Sequence, residues 1–267
     1  MPTVQTDSST VHYSIVGGED GAGTKLVFVA GTGLDAQLNF GHLVEAFADE
    51  RGVVLPDYAG SGATEGPDGE LSVEILAEQI GAVVREVAAA SGPVDLVGYS
   101  LGAVVAAAVA ALNPEAVRRV VLVAGWDGPD ARHELNISVW QQLERTDHEL
   151  FTRFLQLACF SPEFLASIGS EALAGLIENA PPIGEGMRRH IDVDRRADIR
   201  DLLPKITAPT LVVGLTHDYV VPVGAVRRVH EAIAGSEYVE IPSGHLVVFE
   251  RPRELVEAVR GFLFSER

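Results

Sequence analysis

Three residues in this chain could share one reaction. Ser100 stands in Gly98-Tyr99-Ser100-Leu101-Gly102. Asp218 follows the apolar run ending Val212-Val213-Gly214-Leu215-Thr216-His217. His245 ends Ile241-Pro242-Ser243-Gly244-His245. A serine hydroxyl is a poor nucleophile alone; it needs a base within hydrogen-bond reach and a third group to orient that base. The chemistry open to such a set is attack on a carbonyl carbon. His245 would take the serine proton and Asp218 would hold the imidazole. Asp127, next to Trp126, competes with Asp218 for the orienting place.

Chemistry of this kind depends on where the elements put the residues. Val94 to Tyr99 is an apolar run that reads as a buried strand. Leu101 to Leu112 is an Ala/Val-rich buried helix. The chain must turn between them within about two residues, which places Ser100 at the tip of a tight strand-to-helix turn. Gly98 and Gly102 flank that turn, where a side chain would strike a neighbour. The helix N-terminus points its positive end at the serine, where an oxyanion would form.

Other short apolar runs read as strands: Lys25 to Ala30, Gly52 to Asp57, Arg119 to Gly125, Thr210 to Leu215 and Glu237 to Ile241. Val4 to Val16 reads as one strand or a hairpin, followed by a turn-rich break from Gly17 to Gly23. Helical spacing marks residues 39–50, 72–90, 223–233 and 252–264. Strands alternating with helices predict an α/β chain built on a mostly parallel, doubly wound sheet. Residues 126–203 lack strands and carry helical patterns at Ile137 to Phe160 and Pro162 to Glu178, with a break at Pro181-Pro182-Ile183-Gly184. So long a strandless stretch reads as a helical insertion over one end of the sheet. The expected division is a core of residues 1–126 and 204–267 and an insertion of 127–203.

In these features the chain resembles the α/β-hydrolases over nearly its whole length. The motifs are Gly98-Tyr99-Ser100-Leu101-Gly102, Gly214…Asp218…Val221-Pro222, and Ser243-Gly244-His245 followed by Phe249-Glu250 and Pro252. Asp57-Tyr58-Ala59-Gly60-Ser61-Gly62 looks like the family's Asp-x-x-Gly-x-Gly loop. The resemblance implies an α/β-hydrolase fold with a helical cap (lid) and a Ser100–His245–Asp218 triad working through an acyl-enzyme. It also implies oxyanion donors in the N–H groups of Thr32 and Leu101. One departure concerns that loop. Many members carry His-Gly where this chain has Ala30-Gly31-Thr32-Gly33. The main-chain donor of Thr32 survives, Gly33 is the alternative donor if the loop shifts by one, and the question is what braces the loop.

Gly33, Tyr99, Trp126 and Trp140 are the expected pocket residues. Phe151, Phe154, Leu155 and Phe160 are further bulky candidates from the insertion. The implied activity is hydrolysis of a small-to-medium apolar ester or thioester. Carbon–carbon cleavage, lactone chemistry or cyclisation of a metabolic intermediate is the alternative, and a non-catalytic ligand-binding member a third.

Composition narrows the partners. The 267 residues carry a formal charge of −18, which argues against nucleic acid and anionic membranes. The expected partner is a small molecule, free or as a carrier-bound acyl group, acting on a monomer or homodimer. A lone cysteine, Cys159, excludes an internal disulfide. His133, His148, His190 and His217 have no metal-ligand spacing and read as surface or structural. Gly31-Thr32-Gly33 lacks the third glycine of a dinucleotide loop, so no cofactor and no metal is expected. The start, Met1 to Asp7, has neither the basic nor the apolar region of a signal peptide, and the expected location is the cytoplasm.

Overall fold

A computed structural model describes residues 1–18, 23–180 and 182–265. Eight strands lie in one sheet: β1 (Thr3–Gln5), β2 (Thr10–Val16), β3 (Leu26–Val29), β4 (Val53–Pro56), β5 (Val94–Tyr99), β6 (Val117–Val123), β7 (Thr210–Leu215) and β8 (Glu237–Ile241). Their order is β1-β2-β4-β3-β5-β6-β7-β8. The first two strands pair antiparallel, as does β2 with β4, and every later pairing is parallel. Val4 to Val16 is therefore a hairpin. Residues 19–22 of the break after it, and Pro181 of the later break, lie outside the described residues.

Strands β3 to β7 are buried at almost every position, because parallel strands are covered by helices on both faces. The covering helices outside the insertion are α1 (Ala36–Phe40), α2 (Glu45–Ala48), α3 (Val73–Ser91) and α4 (Leu101–Leu112) in the first part of the chain. Within residues 127–203 come α5 (Ala131–Thr146), α6 (His148–Cys159), α7 (Pro162–Glu178) and α8 (Glu185–Arg196). Then follow α9 (Val223–Ala232), α10 (Val247–Glu250) and α11 (Pro252–Leu263). Helix α4 is almost wholly buried, and its small side chains let it lie close against β3, β5 and β6. Among the described residues no helix is long and apolar enough to cross a membrane.

Two helical patterns split where the backbone found better partners. The stretch 39–50 breaks after Phe40, where Leu43 N–H turns back to the Phe40 carbonyl, three residues away. The stretch 137–160 divides at Asp147, whose extended backbone ends α5 and whose carboxylate accepts from Leu150 N–H to begin α6. A side chain that caps a helix this way competes with helix continuation. Among the described residues of 127–203, α5, α6 and α7 begin on capping side chains: Asp130, Asp147 and Ser161 each accept from the third N–H that follows.

Candidate functional site

The turn after β5 sets the serine. Ser100 has φ 56° and ψ −124°, a left-handed conformation a side chain adopts only under local constraint. That constraint is the close meeting of β5, α4 and β3. A Cβ on Gly102 would stand 2.1 Å from the Val29 carbonyl oxygen, and one on Gly98 would stand 2.2 Å from the Gly102 oxygen. The two glycines exist because backbone occupies that space, and the turn projects Ser100 past the carboxyl end of the sheet.

His245 and Asp218 reach the same place from the ends of β8 and β7. Ser100 Oγ donates to His245 Nε2 at 2.9 Å, and His245 Nδ1–H donates to Asp218 Oδ2 at 2.7 Å. The other Asp218 oxygen accepts from the Val220 and Val221 N–H groups at 2.8 Å each. All three side chains are buried. The His245 loop is clamped in turn. Gly244 packs so tightly against Phe160 and Ser161 that a Cβ would sit 2.4 Å from Ser161 N. Glu250 accepts from both the Ser161 and Gly244 N–H groups, and Tyr99 Oη–H donates to the His245 carbonyl at 2.8 Å. Asp127 is elsewhere: it pairs with Arg228 at the surface side of the loop after β6, and so does not reach the histidine.

The loop after β3 lies across from the serine. No hydrogen bond among the described residues uses the Thr32 or Leu101 N–H, so both donors remain available to an oxyanion. Gly33 N–H is taken, donating to His190 Nδ1 at 3.1 Å, which removes Gly33 as the alternative donor. The missing histidine after β3 is replaced by a different brace. From the core, Gly31 N–H donates to Asn39, Tyr58 Oη–H donates to the Ala30 carbonyl, Ser61 Oγ–H donates to the Leu34 carbonyl, and Asp57 accepts from Ala36 N–H. From the insertion, α8 reaches down with His190 and Asp194, one turn apart. His190 Nε2–H donates to the Ala59 carbonyl at 2.7 Å while its Nδ1 receives Gly33. Thr32 Oγ1–H points into the Asp194 carboxyl, 2.8 and 3.0 Å from its two oxygens.

Sequence reasoning missed Asp194 and left His190 without a partner. Their environments make them unusual. Burial pushes Asp194 up to about 7 against the opposing pull of the Thr32 hydroxyl and of His245. Burial pushes His190 down to about 4; the neutral ring suits a site where one nitrogen donates and the other accepts. These shifts act on stability with opposite signs. The folded state keeps the Asp194 proton after the unfolded chain has released it, so this group costs stability as pH rises from about 4 to about 7. His190 costs stability as pH falls from about 6.5 to about 4. The two largely offset each other over that lower range, and above pH 7 the Asp194 cost stands alone, of the order of 4 kcal/mol. Asp194→Asn keeps an acceptor for Thr32 and removes that cost. Thermal melts should show the variant gaining about 5 °C or more over wild type at pH 8 relative to its difference at pH 4. An equal difference at both values would contradict the burial argument.

Between the insertion and the sheet end is a cavity of about 680 Å³ that contains Ser100, His245, Thr32 and Asp194 in its wall. Gly33, Tyr99, Trp126 and Trp140 all line it, as do Leu155 and Phe160. Phe151 does not: it is fully buried beneath Trp140. His133 lines the cavity against the Trp126 ring and donates through Nε2 to the Asp194 carbonyl. Cys159 also faces this wall, but burial pushes its thiol far up and keeps it protonated. Such an arrangement can hold an apolar acyl compound with its carbonyl over Ser100. Among the described residues no cluster of three or more His, Cys, Asp or Glu side chains has a metal-binding arrangement.

Known proteins resemble this chain over its full span. A pyrrolizixenacetamide deacetylase of Xenorhabdus hominickii is 38% identical over 269 residues, covering 100% of this chain and 99% of that protein. A pimeloyl-[acyl-carrier protein] methyl ester esterase of Xanthomonas oryzae pv. oryzae is 28% identical, covering 96% of this chain and 99% of its own. Among solved structures, the enol-lactonase of Burkholderia xenovorans LB400 superposes with a TM-score of 0.84 at 23% identity, covering 99% of this chain and 100% of that one. The family model described as the alpha/beta hydrolase family matches residues 26–258. With the sheet order, the turn at Ser100 and these matches together, the chain belongs to the α/β hydrolase family.

Proposed function

We propose that this hydrolase cleaves a small-to-medium, largely apolar acyl compound through a covalent intermediate on Ser100. The observation that carries the reading is the continuous hydrogen-bond chain from Ser100 through His245 to Asp218, set in the wall of an apolar cavity. In this reading His245 takes the serine proton as Oγ attacks the acyl carbon. The Thr32 and Leu101 N–H groups hold the oxyanion, worth about 3 kcal/mol per donor. Asp218 keeps the ring oriented and stabilises the imidazolium. His245 then protonates the leaving group, and water releases the acyl group by the same steps in reverse. Residues 127–203 act as the cap, and Gly33, Tyr99, Trp126 and Trp140 shape the acyl pocket.

Esters and thioesters fit the apolar walls, and the methyl ester esterase relative supports that class. A second reading, an amide as the scissile bond, is favoured by the deacetylase at 38% identity. The test is turnover of a panel of short acyl esters, thioesters and acetamides by wild type and Ser100→Ala. We expect wild-type turnover of at least one class and a fall to the solution background in the variant. Retained turnover in Ser100→Ala would overturn the reading.

A further inference from the structure

Among the described residues, each buried carboxylate other than Asp194 is met by a cationic or histidine side chain or by two backbone N–H groups. Asp95 is held by Arg118 in two bonds, Glu144 by Arg188, and Asp218 by His245 and two N–H groups. Glu250 receives two N–H groups. Asp194, 3% exposed, receives one neutral hydroxyl, that of Thr32. Although both of its oxygens lie within hydrogen-bond distance of Thr32 Oγ1, a hydroxyl carries one hydrogen and serves one oxygen at a time. An ionised carboxylate has about four acceptor sites, and burying them with a single neutral donor is costly.

The place of this under-served carboxyl is informative. Asp194 is the one acidic side chain in the described wall of the cavity that holds Ser100, and that wall has no lysine or arginine. No arginine, lysine or histidine lies within 4 Å of its carboxylate among the described residues, whereas Asp95, Glu144 and Asp218 each have such a neighbour and Glu250 has two N–H donors instead. Its one donor, Thr32, also offers the main-chain N–H that faces the expected oxyanion. The carboxyl is therefore beside the position of the reacting acyl group, on the cap side. A purely apolar ester would leave it desolvated and still unpaired. A compound with a nitrogen donor would satisfy it.

We propose that Asp194 is a recognition site for a nitrogen donor on the substrate, an amide N–H or a protonated amine close to the scissile acyl group. This rests on reading Ser100 as the nucleophile, because that reading fixes where the acyl group lies. The substrate is then an acylated nitrogen compound or an ester bearing an amine, with Trp126, Trp140 and Leu155 covering its apolar part. Thr32 couples the two halves of the site: its hydroxyl binds the recognising carboxyl and its N–H faces the oxyanion.

Binding to Ser100→Ala separates recognition from chemistry. Two matched pairs serve as probes: 1-methyl-4-acetoxypiperidine against cyclohexyl acetate, and 4-nitroacetanilide against 4-nitrophenyl acetate. Each pair differs by a nitrogen donor at nearly constant size. We expect the nitrogen member of at least one pair to bind Ser100→Ala about tenfold or more tightly than its partner. The preference should fall to about one in Ser100→Ala/Asp194→Leu, and a preference for the ammonium should fall likewise in Ser100→Ala/Asp194→Asn, which keeps an oxygen that accepts from an amide N–H. Preference for the piperidine ester marks an ammonium as the donor, and preference for the anilide marks an amide N–H; both support the site. Equal affinities within both pairs, absent binding of both nitrogen members, or a preference that survives both Asp194 substitutions overturns it. Phosphonate labelling of the wild type at Ser100 is read in parallel. Its failure strikes the nucleophile assignment, whereas lost discrimination with labelling intact strikes Asp194 alone.

Discussion

His245→Ala is expected to lower kcat for any acyl substrate of this protein by about 10⁵- to 10⁶-fold. The hydroxyl of Ser100 has one acceptor in the structure, His245 Nε2 at 2.9 Å. Without the ring, the serine proton has nowhere to go as the acyl bond forms, and the leaving group meets no acid. The neighbouring carboxyl does not take over, because Asp194 is held to Thr32. KM should move much less than kcat, since the ring contributes to the transition state more than to ground-state binding. The residual rate would reflect the two oxyanion N–H groups and the cavity. Steady-state kinetics beside a thermal melt checks this. A folded variant that has lost less than about a hundredfold would contradict the role.

Asp218→Asn is expected to cost about 10⁴-fold in kcat, and the reason can be read from its bonds. Oδ1 accepts from the Val220 and Val221 N–H groups, so an asparagine must keep its oxygen there. Its NH₂ then faces His245 Nδ1, where Oδ2 now accepts at 2.7 Å. A donor at that place makes Nδ1 the acceptor and moves the ring proton to Nε2. Nε2 can then no longer receive the Ser100 proton. Asp127→Asn is the control. It loses only the pair with Arg228 at the surface, and its kcat should stay within about threefold of wild type. Equal losses in the two variants would mean that the acid has been misassigned.

The three residues that the structure joins by hydrogen bonds at strand ends could be picked out from the sequence. Ser100, Asp218 and His245 each follow an apolar run by a few residues, and parallel strands place their carboxyl ends together whatever the helices do. The parallel strands, and the lack of strands in residues 127–203, were legible for the same reason: burial on both faces writes itself as a short apolar run, whereas the alternating Val4 to Val16 left one strand or a hairpin open. What could not be read is the contact made from α8. Its sequence, Glu185-Gly186-Met187-Arg188-Arg189-His190-Ile191-Asp192-Val193-Asp194-Arg195-Arg196, is mostly charged, and a charged run by itself points to no buried contact. Yet His190, Ile191, Val193 and Asp194 are buried. Asp194 meets Thr32 across 162 positions, a distance that propensity and periodicity do not span. Periodicity likewise failed at Asp147, where a capping side chain divides a run of helical spacing in two.

The role of α8 also answers the question raised by Ala30-Gly31-Thr32-Gly33. The loop that faces the serine is held from the core by Asn39, Tyr58, Ser61 and Asp57, and from the insertion by His190 and Asp194. The loop that carries Thr32 and helix α8 are thus one connected structure. Asp194, whose burial disfavours the folded state at neutral pH, stands in the wall of the cavity that holds Ser100.

The measurement that bears most directly on the account is reaction of the folded protein with a fluorophosphonate, read by intact mass and then by peptide mapping. We expect one phosphonyl adduct per chain, on the peptide that carries Ser100, and none in Ser100→Ala. An adduct on another residue, or no adduct in a wild-type protein that melts cooperatively, would contradict an activated Ser100.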